Sequence, residues 1–478
     1  MAVEIFTRRA TGPLQSIVAV EVTYDDAPRS SKNALLILGL QFGYYLLTRS
    51  KIRYLLSTIK GSRFLSNFIS IASANLISQM ILLATTPVLS RIYTPENFGV
   101  AALFVTALRL TGSISTWRFD RTIPNAGSKL SALILCCWGC VFVVLTVVLV
   151  SILIYIDAAY THFWDGTRVL GNLLYFLPVA IFLAGAVQIA VAWYARETEL
   201  RPFSRSILIY SVLYILIALL GGLFHMQDSG LILAAVAALF AQIVVLLHFF
   251  CYPAHKGGYS PLRFCSNFKQ HINVATTATG VTFVNTLSLT APIFLLSQVY
   301  AVSDLGVYAL VTRLLITPLG ILTKSLSISF WSRAAELARE NKLGELLRLY
   351  KRVCLIMTIP AVLVVIVCVV GSQLIVPVLG NQWEDAGTVL LAIIPFLIGL
   401  SIASPTNHLW VIDRQSYQFI ADGVRLLLML VSIVAANHFN WSFSYAVLAL
   451  SISSLIGHVI LFAVHIFSYS SLLKRQVK

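Results

Sequence analysis

Residues 131–156 read SALILCCWGCVFVVLTVVLVSILIYI, and no charged side chain interrupts these 26 residues between Lys129 and Asp157. A helix needs about 20 mostly apolar residues to cross the hydrocarbon core of a bilayer, so the stretch is long enough to span a membrane. A strand of a transmembrane barrel would alternate polar and apolar residues, and this stretch does not. The sequence therefore predicts a transmembrane helix here.

The composition of the whole chain agrees with this reading. Of 478 residues, 58% are apolar and 11% are charged, whereas soluble domains carry about 25% charged residues. Backbone groups in lipid must be paired within a helix or a closed barrel, and twelve runs of suitable length predict an all-α polytopic membrane protein. The runs cover residues of about 66–89, 98–117, 131–156, 172–194, 206–224, 230–251, 273–299, 306–330, 353–379, 388–407, 418–437 and 443–467.

The spacing of these runs predicts two six-helix bundles, at residues 63–252 and 273–478, joined by a cytoplasmic linker at 253–272. Residues 1–62 precede the first bundle as a cytoplasmic or interfacial extension. Within it, residues 34–47 are apolar but too few to span comfortably. They predict either an interfacial helix or a thirteenth span.

The loops between the runs carry very unequal charge. If the N-terminus is cytoplasmic, the loops on that side hold 19 Lys and Arg residues and the opposite loops hold 2. The positive-inside rule then places both termini in the cytoplasm. Topology thus explains the net charge of +15, and we expect no nucleic-acid partner.

The two halves of the chain repeat each other. A shift of 207 positions aligns LSRIYTPENFGVAAL at 89–103 with LSQVYAVSDLGVYAL at 296–310, with seven of fifteen residues identical, and His225 is echoed by His438. Six spans separate the copies, so both halves share one orientation. This predicts parallel repeats around an axis along the membrane normal, with a central cavity between them.

Four basic residues fall inside the predicted spans, namely Arg109, Arg313, Lys324 and Arg425, against one acid at comparable depth, Asp422. A charge at bilayer depth costs about 3 kcal/mol on insertion scales, so such residues normally face a wet cavity or a partner. Asp422 and Arg425 are three residues apart on one helix and can pair with each other. Lys324 is near enough to the inner end to extend toward water.

Arg109 and Arg313 lie on the second and eighth spans, which are equivalent in the repeat. Arginine binds phosphate and carboxylate in a two-pronged geometry, so the four basic residues are predicted to form a cationic substrate-binding cavity. Asp120 and Asp422 are candidates for a coupling proton or a salt bridge, and neither role is fixed by the sequence. The candidate polar lining residues on the first and seventh spans are Asn75, Gln79, Thr282 and Asn285.

The sequence favours transport over catalysis. The nine histidines are scattered without metal-ligand spacing or a neighbouring nucleophile, and no Gly-rich phosphate loop with its Lys occurs. We expect neither an enzyme nor a cofactor or metal. The energy source is left open between an ion gradient, the membrane potential and the cargo gradient.

RIYTPENFG at 91–99, WRFD at 117–120, QWEDAG at 382–387 and IDRQ at 412–415 resemble the polysaccharide and O-antigen flippases of the multidrug/oligosaccharidyl-lipid/polysaccharide exporter superfamily. The similarity covers about residues 63–470. It implies export of an undecaprenyl-diphosphate-linked oligosaccharide across the bacterial inner membrane for O-antigen, capsule or exopolysaccharide synthesis. It further implies membrane lipids, a polysaccharide polymerase and glycosyltransferases as partners, and a cationic cavity between the first, second, seventh and eighth helices.

Three alternatives remain at this stage. A multidrug cation antiporter of the same superfamily should have several acids within the membrane, rather than four bases against one. A major-facilitator carrier also has six plus six spans, but its Gly-x-x-x-Asp-Arg signature is absent from residues 117–122. A membrane-embedded sugar polymerase or ligase would need a large outer loop.

Overall fold

The structure is a computed structural model that describes residues 63–157, 169–248, 261–340, 342–403, 409 and 415–477. These residues form helices joined by short loops, and no strand occurs among them. The predicted all-α class is therefore confirmed. The extension at 1–62, with its apolar stretch at 34–47, lies outside the described residues.

The described chain contains six helices before residue 249, the first half, and eight after residue 260, the second half. The first half comprises α1 (Arg63–Ile92), α2 (Pro95–Ile114), α3 (Lys129–Ile156), α4 (Phe176–Arg196), α5 (Arg201–Leu223) and α6 (Gln227–His248). The second half comprises α7 (Pro261–Leu296), α8 (Val302–Arg339), α9 (Leu343–Ile356), α10 (Thr358–Leu379), α11 (Ala386–Ala392), α12 (Ile394–Ala403), α13 (Gln415–His438) and α14 (Phe443–Val477).

Eleven helical segments of the described chain are long and apolar enough to cross a membrane, with α9 and α10 counted together. The pair α11 and α12 is bent by 51° and makes a twelfth if it is one broken span. Pro395 explains the bend, because proline has no N–H to donate to the carbonyl one turn earlier. The expectation of about twelve spans is thus confirmed.

Two helices depart from the predicted boundaries. α7 begins at Pro261, so most of the expected linker at 253–272 is helical. α9 is a separate amphipathic helix whose buried residues include Leu343, Leu346 and Tyr350. Their spacing of three and four residues puts them on one apolar face, while the charged residues between them face outward.

The motif at the start of α2 folds as a helix cap. The Thr94 hydroxyl accepts a hydrogen bond from the Asn97 backbone N–H at 3.3 Å, and the Asn97 side-chain oxygen accepts one from the Thr94 N–H at 3.0 Å. Pro95 occupies the first turn, where its missing N–H costs nothing. These residues fix the point at which α2 enters the bundle.

α2 and α8 cross in direct backbone contact at the glycines that the repeat aligns. A Cβ on Gly306 would lie 1.7 Å from the Pro95 carbonyl oxygen, and one on Gly99 would lie 2.0 Å from the Val302 carbonyl oxygen. Only glycine permits so close an approach. The equivalent helices of the two halves therefore meet at this crossing.

The outward faces of the helices are apolar. On α3 and α10, for example, Leu149 and Leu363 are 57% and 56% exposed. A soluble protein would not present such continuous apolar surface, but lipid covers it without cost.

Candidate functional site

The motif at residues 90–98 contacts the second half of the chain through a buried tryptophan. Trp383 is fully buried, and its Nε1 donates a hydrogen bond to the Ser90 carbonyl at 2.8 Å. The Gln382 side-chain amide donates to the same carbonyl. The Phe98 ring meets the indole edge-on with centroids 5.2 Å apart. We call Ser90, Arg91, Phe98, Gln382 and Trp383 the interhalf seal.

Two further hydrogen bonds tie the seal to the end of α10. The Ser90 hydroxyl donates to the Leu379 carbonyl at 3.2 Å, and the Arg91 guanidinium donates to the Pro377 carbonyl at 3.3 Å. Both acceptors are carbonyls of the last helical turn, which have no partner within the helix. The seal thus joins the end of α1 and the start of α2 to the second half at one end of the bundle.

The opposite end of the bundle holds another contact between the halves. The Trp138 Nε1 on α3 donates to the Phe264 carbonyl on α7 at 3.2 Å, and their rings stack with centroids 4.5 Å apart. Ser131 hydrogen-bonds the Asn267 side chain beside them. The early start of α7 at Pro261 supplies this contact, so the halves touch at both ends of the helices.

A cavity of about 90 Å³ lies within the second half, and Arg109 of the first half reaches its wall. Arg109 on α2 and Arg425 on α13 both line it, and we call it the Arg109–Arg425 cavity. The remaining lining residues are Ser288, Leu289, Pro292, Ile293, Tyr308, Thr312, Ile316, Phe396, Met429 and Ser454. The structure thus brings together two of the four predicted basic residues.

Arg425 belongs to a buried polar cluster. Its guanidinium lies 3.1 Å from the Asp422 carboxylate, which is the pairing that their spacing predicts. It also meets His458 Nε2 on α14 at 3.4 Å, and His458 Nδ1 lies 2.7 Å from the Ser454 carbonyl. Asp422, Arg425 and His458 are each only 6% exposed.

Arg313 contacts the opposite half instead. Its guanidinium carbon lies 5.6 Å from the centroid of the Tyr214 ring on α5, a cation–π contact. Tyr210 stacks on Tyr214 with centroids 6.4 Å apart, and its hydroxyl lies within electrostatic range of both Arg313 and Arg109. Each arginine of the predicted pair thus reaches the half to which its own helix does not belong.

The other candidates lie elsewhere. Asp120 is in the loop after α2, where it accepts a hydrogen bond from the Thr116 hydroxyl at 2.7 Å and lies 3.8 Å from the Arg118 guanidinium. Burial lowers the pKa of Arg118, although Asp120 opposes the shift. Asp120 therefore sits in a loop ion pair outside the Arg109–Arg425 cavity. The side chain of Lys324 lies outside the described residues.

The four predicted polar lining residues are not on the wall of the Arg109–Arg425 cavity. Asn75 donates to the Ile71 carbonyl of its own helix at 2.9 Å. Gln79 and Thr282 are half-buried and Asn285 is exposed. α7 does line the cavity, but through residues about one turn further along, beginning with Ser288.

Sequence reasoning missed His458, Ser454 and Tyr214, whereas the polar stripe of the seventh span already included Ser288. His458 is 33 residues from Arg425, and nothing in the sequence pairs them. Tyr214 had a weak signal: the offset of 213 between His225 and His438 maps Arg425 onto position 212, between Tyr210 and Tyr214. Within the described ranges, no cluster of three His, Cys, Asp or Glu side chains could hold a metal ion.

The fold and the cavity define a polytopic membrane protein built from two like halves, with Arg109 of the first half and Arg425 of the second half lining one space. A family model described as "Polysaccharide biosynthesis protein" matches residues 88–388. The chain belongs to this family.

Solved structures show the same fold at low sequence identity. A lipid II flippase, MurJ, in an inward closed conformation is 16% identical, with a TM-score of 0.63 over 84% of this chain and 90% of that one. An inward-facing multidrug MATE transporter is 13% identical, with a TM-score of 0.61 over 84% and 99%.

A third structure with this fold is a transporter from Pyrococcus furiosus Vc1 described as having a binding pocket of reverse polarity. It is 13% identical, with a TM-score of 0.57 over 87% of this chain and 97% of that one. No curated protein matches the sequence.

Proposed function

We propose that the protein flips an undecaprenyl-diphosphate-linked oligosaccharide repeat unit from the cytoplasmic to the outer leaflet of the bacterial inner membrane. The observation that carries the proposal is the charge at the junction of the halves. Arg109, Arg313 and Arg425 reach it, and among the described residues at that depth Asp422 alone balances them. An anionic cargo is the natural counter-ion for this excess.

The diphosphate of such a cargo suits the guanidinium groups. Phosphate oxygens accept paired hydrogen bonds from arginine, and arginine stays charged at every physiological pH. The apolar faces of the helices leave the polyprenyl tail in lipid while the head group enters between the halves. The polysaccharide biosynthesis family and the lipid II flippase with the same fold support this cargo class.

Alternating access would use the two contacts between the halves. The charge of the loops assigns the interhalf seal to the outer side, so the seal must open for release. The contact of Trp138 with Phe264 must open for entry from the cytoplasm. No bond of the cargo is made or broken in this cycle, so the protein is a transporter and not an enzyme.

The proposal places the protein in O-antigen, capsule or exopolysaccharide synthesis, with both termini in the cytoplasm. Glycosyltransferases would supply its substrate, and a polymerase would consume the flipped repeat unit. The first half and the second half, which begins at Pro261, would be the moving bodies, with Asp422 or Asp120 as candidates for a coupling proton.

Complementation of a deletion strain tests the proposal. The Arg109→Ala and Arg313→Ala double variant should reach the membrane at the normal level yet restore no surface polysaccharide. The matched control is Arg348→Ala, because Arg348 is an exposed arginine on α9. Normal polysaccharide in the double variant would refute the site.

A drug-sensitivity panel on the same deletion strain separates the multidrug alternative. Two solved structures with this fold are described as multidrug transporters, which makes the comparison necessary. A flippase predicts unchanged sensitivity to cationic drugs with loss of polysaccharide. Raised drug sensitivity with normal polysaccharide would favour the antiporter.

A further inference from the structure

Three residues that line the Arg109–Arg425 cavity each carry a buried polar atom without a hydrogen bond. The Nε of Arg425 and the hydroxyls of Ser288 and Ser454 have no hydrogen bond, although these residues are 6%, 2% and 1% exposed. Buried polar groups are nearly always paired, so three around one small space point to a missing ligand. The volume of about 90 Å³ holds one phosphate-sized anion or about three waters.

The donors around the cavity suit an anion. Arg109 and Arg425 are both cationic, and the two serine hydroxyls can turn their hydrogens toward a ligand. Arg425 is already paired with Asp422 through another nitrogen, and this leaves its Nε as the free donor. An oxyanion that entered the cavity would offer acceptor oxygens to these donors once their side chains turn toward it.

His458 next to Arg425 is held in one neutral form. The Ser454 carbonyl can only accept, so the His458 Nδ1 at 2.7 Å must carry a hydrogen. The Nε2 atom faces a guanidinium N–H of Arg425 at 3.4 Å, so it must present its lone pair. A proton on Nε2 would point at this N–H donor. The Nε2 atom can therefore accept the hydrogen bond from the guanidinium or carry a proton, but it cannot do both.

Glycine backbone packs directly against the side chains of Arg425 and His458. A Cβ on Gly457 would lie 2.5 Å from the Arg425 Cγ, and one on Gly399 would lie 2.9 Å from the His458 Nδ1. Both side chains thus pack on glycine backbone. The cavity is the open space that adjoins Arg425, so a displaced guanidinium has room on that side.

The groups that face His458 come from three helices. α13 presents Arg425, with Asp422 paired behind it. α12 presents the Phe396 ring at 6.4 Å and the Gly399 backbone, and α14 contributes the Ser454 carbonyl. Among the described residues in contact with it, no other charged group competes with Arg425.

We propose that the Arg109–Arg425 cavity is a proton-linked phosphate subsite, in which a phosphate group draws Arg425 away from His458 and the freed Nε2 atom binds a proton. When the cavity is empty, the net charge is zero over Asp422, Arg425 and neutral His458. A bound phosphate brings negative charge, and a proton from water onto Nε2 offsets part of it. When the phosphate leaves, Arg425 returns and the proton is released.

This subsite deepens the proposed function, because it assigns to one place the diphosphate of the lipid-linked cargo. The proton is taken up when the phosphate binds and is released when it departs, so it would move outward with the cargo and offset part of the negative charge that crosses the membrane. Free phosphate and a lipid-linked diphosphate share the recognising chemistry, so the test uses both.

Calorimetric titration of the purified full-length protein in nanodiscs tests the subsite. The probes are inorganic pyrophosphate and farnesyl diphosphate, each titrated in two buffers of different ionisation enthalpy at one pH. The difference in apparent heat gives the protons taken up per anion. We expect proton uptake that is measurably above zero and at most about one proton per anion near neutral pH, and tighter binding as pH falls.

Two variants separate the phosphate from the proton. Arg425→Gln should weaken pyrophosphate binding at least tenfold, while the exposed-site control Arg348→Gln should bind normally. His458→Gln keeps an acceptor for Arg425 but cannot gain a proton at that position. It should still bind pyrophosphate, without proton uptake and without the pH dependence.

Each outcome decides the proposal. Binding without proton uptake, or uptake that persists in His458→Gln, would overturn the proton link, and binding that survives Arg425→Gln would overturn the subsite. Binding of farnesyl diphosphate alone would assign the subsite to lipid head groups. Failure of both probes, with Arg109 and Arg313 still required for surface polysaccharide, would reject the subsite and leave the proposed function standing.

Discussion

Weakening the interhalf seal should shift the protein toward the state that is open on the seal side. Trp383→Phe keeps a buried aromatic ring against Phe98 but removes the indole N–H that donates to the Ser90 carbonyl at 2.8 Å. Loss of one such hydrogen bond costs about 1 kcal/mol net. The sealed state should therefore lose a factor of about five relative to the open state.

The assay is the labelling rate of a cysteine in the cavity. Leu289 lines the Arg109–Arg425 cavity and is 52% exposed, so Leu289→Cys in a cysteine-free background provides the target. A membrane-impermeant maleimide added to intact cells should react about five times faster when Trp383→Phe is also present.

Trp441→Phe is the matched control. Trp441 belongs to the α13–α14 loop outside the seal and is 37% exposed. Its backbone carbonyl, which accepts from Tyr300, is unaffected by the change of ring. Labelling that is equal or slower in Trp383→Phe than in this control would refute the role of the seal.

Two further predictions concern the packing of the helices. Gly306→Ala places a Cβ 1.7 Å from the Pro95 carbonyl oxygen and should cost about 1–3 kcal/mol through forced separation of α2 and α8, seen as a lower midpoint in thermal unfolding. Gly320→Ala has nothing within 4 Å, so it should not lower the midpoint and should raise it slightly, because alanine favours the helix. Equal effects of the two changes would contradict the crossing. Asp422→Asn leaves Arg425 buried without its counter-ion and should lower the midpoint of thermal unfolding. Adding Arg425→Gln to this variant should restore part of the lost stability. A double variant with no recovery would argue against coupling between the two side chains.

The residues that carry the family resemblance have a structural role that the sequence did not reveal. Thr94, Pro95 and Asn97 cap α2, Gly99 makes the crossing with α8, and Trp383 docks onto Ser90. Two separate motifs, about 290 residues apart, thus form one contact between the halves. The sequence marked both motifs but could not join them, because nothing in a linear pattern specifies which loops meet.

The fold was predictable because lipid imposes a simple rule on the chain. Long apolar runs must be helices, and the repeat at a shift of 207 fixed the equivalence of α2 and α8. The broken span at α11 and α12 was less visible, since the apolar run continues through Pro395 without a change in composition.

The candidate site was predictable only in part. Buried charge in an apolar span signals function or pairing by its cost, and this identified Arg109, Arg313 and Arg425. The partners of these arginines depend on helix rotation and tilt, which the sequence does not encode locally. Tyr214 and His458 read as ordinary residues of apolar helices until the structure places them against the guanidinium groups.

Translocation in proteoliposomes tests the central claim most directly. The vesicles contain the purified protein and a fluorescent undecaprenyl-diphosphate-linked oligosaccharide, and a membrane-impermeant quencher reports the fraction in the outer leaflet. The account predicts that the quenched fraction of the fluorescent lipid changes with time in vesicles that contain the protein, because the lipid moves between leaflets. In vesicles with the Arg109→Ala and Arg313→Ala double variant, the quenched fraction should stay at its starting value. Equal exchange by both proteins would contradict it.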